Sequence, residues 1–126
     1  MKIDLPLFVM LPRKTKADKR IALNMNTYRN LHYQLNNQAK KEFCRVIAGD
    51  LLYLPCLDML DLKYTLYPKT KRLTDVANVC SIVDKFFCDA LVQAGKIEDD
   101  NFNFIRSVWY GWGKVDKDNP RCEVRF

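Results

Sequence analysis

Lys69–Asn101 reads KTKRLTDVANVCSIVDKFFCDALVQAGKIEDDN: a basic lead-in, one long helical pattern and an acidic turn. Asp75 is a good N-cap, because its carboxylate accepts from first-turn N–H groups that have no partner inside the helix. Gly95 is a good stop, since glycine takes the left-handed conformation that ends helices. Between them Val76, Val79, Cys80, Val83, Phe86, Phe87, Ala90, Leu91 and Ala94 recur at three and four. At about 100° per residue they form one broad apolar face.

The other face carries the chemistry. Asp75, Asn78, Lys85 and Asp89 fall within roughly 80° of arc, interrupted only by Ile82. Asp84 points to the flank of the apolar face, and Glu98, Asp99 and Asp100 follow the stop. Two readings are open. One is a surface helix with a solvated polar face and an acidic loop. The other is a set of carboxylates with a lysine and an amide, as a divalent-metal nuclease needs.

The order Asp75-Val76-Ala77-Asn78, Asp84-Lys85-Phe86, Asp89-Ala90-Leu91, Gly95 and Glu98-Asp99-Asp100-Asn101 resembles the RusA-type Holliday junction resolvases of phages and prophages. Leu23-Asn24-Met25-Asn26-Thr27-Tyr28-Arg29-Asn30, leading into a helix, matches more loosely. The resemblance implies one endonuclease domain over residues 1–126. It implies an Mg2+-dependent endodeoxyribonuclease, with Mn2+ as a substitute. Such an enzyme resolves four-way DNA junctions by paired symmetric nicks in recombination and repair, as a homodimer. Asp75 and Asp100 match the family's metal-binding carboxylates, with Asp99 adjacent. Lys85 matches the catalytic lysine, which neutralises developing charge or orients the water, and Asn78 matches the motif's amide. There are two departures. Ala77 stands where the family motif commonly has a second aspartate, and the spacing on to Lys85 is one helical turn longer. Asp89, on the same stripe as Asp75, is the candidate replacement ligand; Asp84 needs a different helix phase.

Composition agrees with a nucleic-acid partner without specifying it. A chain of 126 residues is one domain, and at 48% hydrophobic it fills a small core. The formal charge of +6 favours an anionic partner such as DNA. Five cysteines, an odd number without zinc-ligand spacing, predict reduced, buried, small hydrophobes and hence a cytoplasmic protein of a bacterium or phage-infected host. The N-terminus lacks a signal-peptide layout, and no apolar run approaches the roughly 20 residues that span a bilayer.

Along the chain, Lys2–Leu11 alternates as one strand, with Pro6 marking an edge or bulge. Arg13, Lys14, Lys16, Lys19 and Arg20 then form a loop or arm suited to phosphate contacts. Asn26 caps a helix that runs to about Ala48 and stops at Gly49-Asp50. His32, the sole histidine, is expected to be packed and hydrogen-bonded, which leaves Ser–His and Cys–His catalysis without support. Arg29 is the residue of that helix best placed to touch DNA. Leu60–Tyr67 alternates as a strand ended by Pro68, and Lys69, Lys71 and Arg72 deliver positive charge just ahead of Asp75. Phe102–Trp112 and Cys122–Phe126 read as strands, and Trp109 and Trp112 as core or interface residues. The expected fold is α+β: a single domain, a mixed β-sheet with two main helices on one face, in β-α-β-α-β-β order.

Asp75 and Asp100 stand at opposite ends of the long helix, roughly 28 Å apart at 1.5 Å per residue. One ion cannot bridge them within one chain unless the helix breaks or the loop folds back. A two-fold dimer with antiparallel helices brings Asp99 and Asp100 of one chain towards Asp75 of the other. Two further classes remain: a non-catalytic binder of branched DNA, and an interaction protein whose acidic face docks a basic partner.

Overall fold

The computed structural model describes residues 1–126. The main sheet has four strands in the order β1 (Lys2–Leu5), β6 (Arg121–Arg125), β4 (Leu60–Tyr67), β5 (Ile105–Trp112). β6 runs antiparallel to both β1 and β4, and β5 runs parallel to β4. The sheet is therefore mixed, and the fold is α+β. Leu60, Leu62, Tyr64 and Leu66 of β4 point into the core, while Asp61 and Lys63 point to the uncovered face. This is the alternation expected of a half-buried strand.

The opening segment is two strands rather than one. Pro6 has no N–H for a ladder, and the chain turns there. β2 (Phe8–Leu11) leaves the main sheet and forms a hairpin with β3 (Lys19–Ala22), with Val9 opposite Ile21. Lys19 and Arg20 thus belong to a strand, and only residues 12–18 remain as the connecting turn. Arg20 lies over the Phe8 ring at 4.2 Å, and Arg13 Nε donates to the Ala17 carbonyl at 2.7 Å.

The first helical region is broken where continuity was expected. α1 covers Met25–Asn30, capped by Asn24, not Asn26, whose Oδ1 accepts from the Thr27 N–H at 2.8 Å. α2 (Tyr33–Leu52) starts afresh at His32, whose Nδ1 accepts from the Gln34 N–H at 3.2 Å. His32 is exposed rather than packed. Its hydrogen bond is a capping bond, and that cap is what permits the break. Gly49 does not stop α2, which continues because Leu51 still has a core position to fill.

α3 (Val76–Gln93) follows its sequence pattern closely. Asp75 is the N-cap, and Gly95 takes φ 71° just past the end. Phe86 and Phe87 are buried, and Phe86 meets Phe43 of α2 edge-on at 5.7 Å between ring centres. α2 and α3 finish at the same end of the molecule. There the Leu57 N–H donates to the Lys96 carbonyl at 2.8 Å, and Lys96 Nζ to the Leu54 carbonyl at 2.7 Å. At the opposite end sit α1, the start of α3 and the loop Pro68–Thr74. No helix is long and apolar enough to cross a membrane.

Candidate functional site

The start of α3 forms one wall of a polar cleft. Asn24, Asn26, Thr27, Arg72, Thr74, Asp75 and Asn78 line it, and a contiguous hollow adds Arg29, Ala77 and Ser81. Asp75 Oδ1 accepts from the Ala77 N–H at 3.1 Å, which leaves Oδ2 without a partner in the chain. Asn78 Oδ1 accepts from the Met25 N–H at 3.0 Å and so joins α3 to α1. Arg29 and Arg72 bring positive charge to the two sides of Asp75. Asn78 was singled out by the sequence, but Asn24, Asn26, Thr27 and Thr74 were not read as site residues. Asn24, Asn26 and Thr27 stood inside the loosely matching stretch Leu23–Asn30, from which only a cap at Asn26 was drawn.

Lys85 is exposed, ten residues along the helix from Asp75 and so about 15 Å away. Asp89 is paired with Lys40 of α2 at 3.2 Å, which turns it towards the seam between the helices and away from Asp75. Ile82 is buried in the core, which explains why an apolar residue interrupts the stripe. Asp99 Oδ1 accepts from the Asp100 N–H at 2.8 Å, and its Oδ2 from Asn101 Nδ2 at 3.0 Å. Asp99 and Asp100 therefore shape an exposed turn at the far end of α3.

Asp84 has a separate occupation. Its Oδ1 accepts from the Tyr64 hydroxyl and its Oδ2 from the Tyr110 hydroxyl, each at 2.7 Å. Cys88 Sγ lies 3.3 Å from Oδ1. Burial pushes the Tyr64, Tyr110 and Cys88 ionisations up, and the neighbouring Asp84 carboxyl adds to this. Asp84 thus ties α3 to β4 and β5 and takes no part in the cleft around Asp75. Of the cysteines, Cys80, Cys88 and Cys122 are buried and reduced as expected, while Cys56 is exposed and Cys44 half-buried.

No group of three or more His, Cys, Asp or Glu side chains converges within the chain to hold a metal ion. Asp75, Asp89, Asp99 and Asp100 are spread along α3 and its following turn. Their oxygen chemistry suits a hard cation such as Mg2+, but one chain alone does not assemble them. The basic residues are better gathered. Arg29, Lys69, Lys71 and Arg72 lie at the Asp75 end, and Arg20 of the hairpin shares a hollow with Lys69 and Lys117. Arg13, Lys14 and Lys16 occupy the exposed hairpin turn. No family model matches this chain, and no curated protein matches it.

Proposed function

We propose that this chain is a RusA-like, structure-selective endodeoxyribonuclease that cuts four-way DNA junctions with paired nicks, using magnesium held between two copies of the chain. The observation that carries the reading is the cleft in which Asp75 and Asn78 are flanked by Arg29 and Arg72. Metal-dependent phosphodiester hydrolysis uses cations that hold phosphate beside a carboxylate that holds the ion, and this cleft offers both: Arg29 from α1, Arg72 from the loop before α3, and Asp75 at the start of α3.

Arg29, Arg72, Lys69 and Lys71 bind and orient the DNA backbone without reading its sequence. Arg13, Lys14, Lys16, Lys19 and Arg20 extend that contact along the hairpin. Asp75 offers the carboxylate oxygen that would hold the divalent ion, and Asn78 fixes the wall of the cleft. Lys85, about 15 Å along α3 from Asp75, contacts the DNA backbone beyond the cleft rather than the phosphate held at Asp75. A bound divalent ion supplies Lewis-acid polarisation and a more acidic water. Asp99 and Asp100 come from the second copy, because the length of α3 keeps them away from their own Asp75.

A labelled four-way junction tests this reading. The expected result is cleavage of two opposed strands that requires Mg2+ or Mn2+. A gel shift without cleavage in either metal marks a non-catalytic junction binder. Neither shift nor cleavage removes the nucleic-acid reading altogether.

A further inference from the structure

We infer that the free edge of β5 is the surface on which a second copy of this chain pairs, antiparallel and about a two-fold axis. The inference rests on the two-chain reading above for its functional meaning and names the contact that such a pair uses.

β5 has β4 on one side and no strand on the other. Edge strands are ordinarily kept short, charged or interrupted by proline, because an open row of N–H and C=O groups invites another strand. The opposite edge obeys that rule: β1 has four residues, carries Lys2 and Asp4, and is followed by Pro6. β5 does not. It has eight residues without proline or lysine, and its one charge, Arg106, is paired with Asp61. Val108, Trp109 and Trp112 are 42%, 51% and 58% exposed along it. The Gly113 N–H donates to the Leu66 carbonyl. By alternation, the amides of Val108, Tyr110 and Trp112 point away from β4.

Charge and spacing both select a second copy as the occupant. The β4–α3–β5 unit has a basic end with Lys69, Lys71 and Arg72, beside which Arg29 of α1 lies, and an acidic end with Glu98, Asp99 and Asp100. Antiparallel self-pairing of β5 sets each basic end beside the other chain's acidic end, twice. α3 packs over both β4 and β5. With strands about 4.8 Å apart, its axis lies about 5 Å from the two-fold axis. The two α3 helices then run antiparallel about 10 Å apart, a normal helix-packing distance. The flank of α3 between Asp84, which reaches Tyr110, and Asn78, which reaches α1, carries Ala77 and Ser81, small enough for close approach. The same pairing moves Asp99 and Asp100 of the second copy to the end that holds Asp75, within a distance on the order of 10 Å.

Sedimentation equilibrium on the protein free of metal and DNA tests the pairing, together with amide exchange. Wild type is expected at twice the 14.8 kDa chain mass, and Val108→Lys at the chain mass with unchanged circular dichroism. In wild type the amides of Val108, Tyr110 and Trp112 exchange about tenfold or more slowly than in Val108→Lys. The Trp109 and Gly111 amides, bonded to β4, stay the same. Should Val108→Lys fail to fold, dilution of wild type serves instead: protection of the three outward amides falls as the dimer dissociates. A monomeric wild type overturns the inference, as does a dimer whose outward amides exchange freely. Either result leaves the junction assay to judge the nuclease reading. A paired edge with no cleavage removes the nuclease reading alone.

Discussion

Asn78 Oδ1 accepts the backbone N–H of Met25 at 3.0 Å, although the two residues are 53 positions apart in the chain. Met25 opens α1, so its N–H has no acceptor within that helix. Asn78 therefore caps α1 from α3 and fixes the wall of the cleft opposite Asp75. Asn78→Ala is expected to lower stability by about 1 kcal/mol in urea unfolding. Junction cleavage should fall further than that loss explains. Asn78→Asp keeps the acceptor and should retain most of the stability.

Asp75 has a structural task as well as the proposed chemical one, and two substitutions separate them. Its Oδ1 caps α3 through the Ala77 N–H at 3.1 Å. Asparagine caps as well as aspartate, whereas alanine removes the cap at about 0.5–2 kcal/mol. Asp75→Asn should therefore melt like wild type while losing metal-dependent cleavage. Asp75→Ala should lose both. Equal cleavage by wild type and Asp75→Asn would limit Asp75 to the cap.

The Asp84 hub predicts an alkaline limit to stability. Tyr64 is fully buried and Tyr110 half-buried, and both donate to Asp84 at 2.7 Å. Both phenols are held above their ordinary range, chiefly by burial. A folded-state pKa raised in this way favours the folded chain fully below the unfolded phenol value of about 10. That contribution is lost as pH rises through the folded values. Phenolate absorbance should show two tyrosines that ionise only with unfolding. Tyr110→Phe should cost roughly 1–3 kcal/mol, and Asp84→Ala more, since it orphans two hydroxyls at once.

The long helix was legible because its cap, apolar period and glycine stop all agree, and Asp75 and Gly95 hold the ends assigned to them. β4 was legible for the same reason, through strict alternation and Pro68. The hairpin was not. Val9 and Leu11 continue the alternation of Ile3 and Leu5, so the pattern is silent on which sheet each pair joins. The break at His32 escaped because apolar spacing carries across it, and only a histidine acting as a cap reveals it. The strand read over Phe102–Trp112 begins only at Ile105, and within it the Trp109 ring lies over Gly111 and leaves no room for a Cβ. In the site, periodicity aligned Asp89 with Asp75 but was blind to Lys40 on another helix, which engages Asp89. Asp84 was rightly set apart by helix phase, though its tyrosine partners come from β4 and β5 and leave no local signature.

The most direct measurement of the two-chain metal site is subunit complementation on a labelled junction with magnesium. Asp75→Asn and Asp100→Asn should each be inert alone. Mixed and allowed to exchange subunits, they should nick single strands, because a mixed pair joins one intact Asp75 to the other chain's intact Asp100. A mixture as inert as its parts, with exchange verified by mass, would contradict a site shared between two chains.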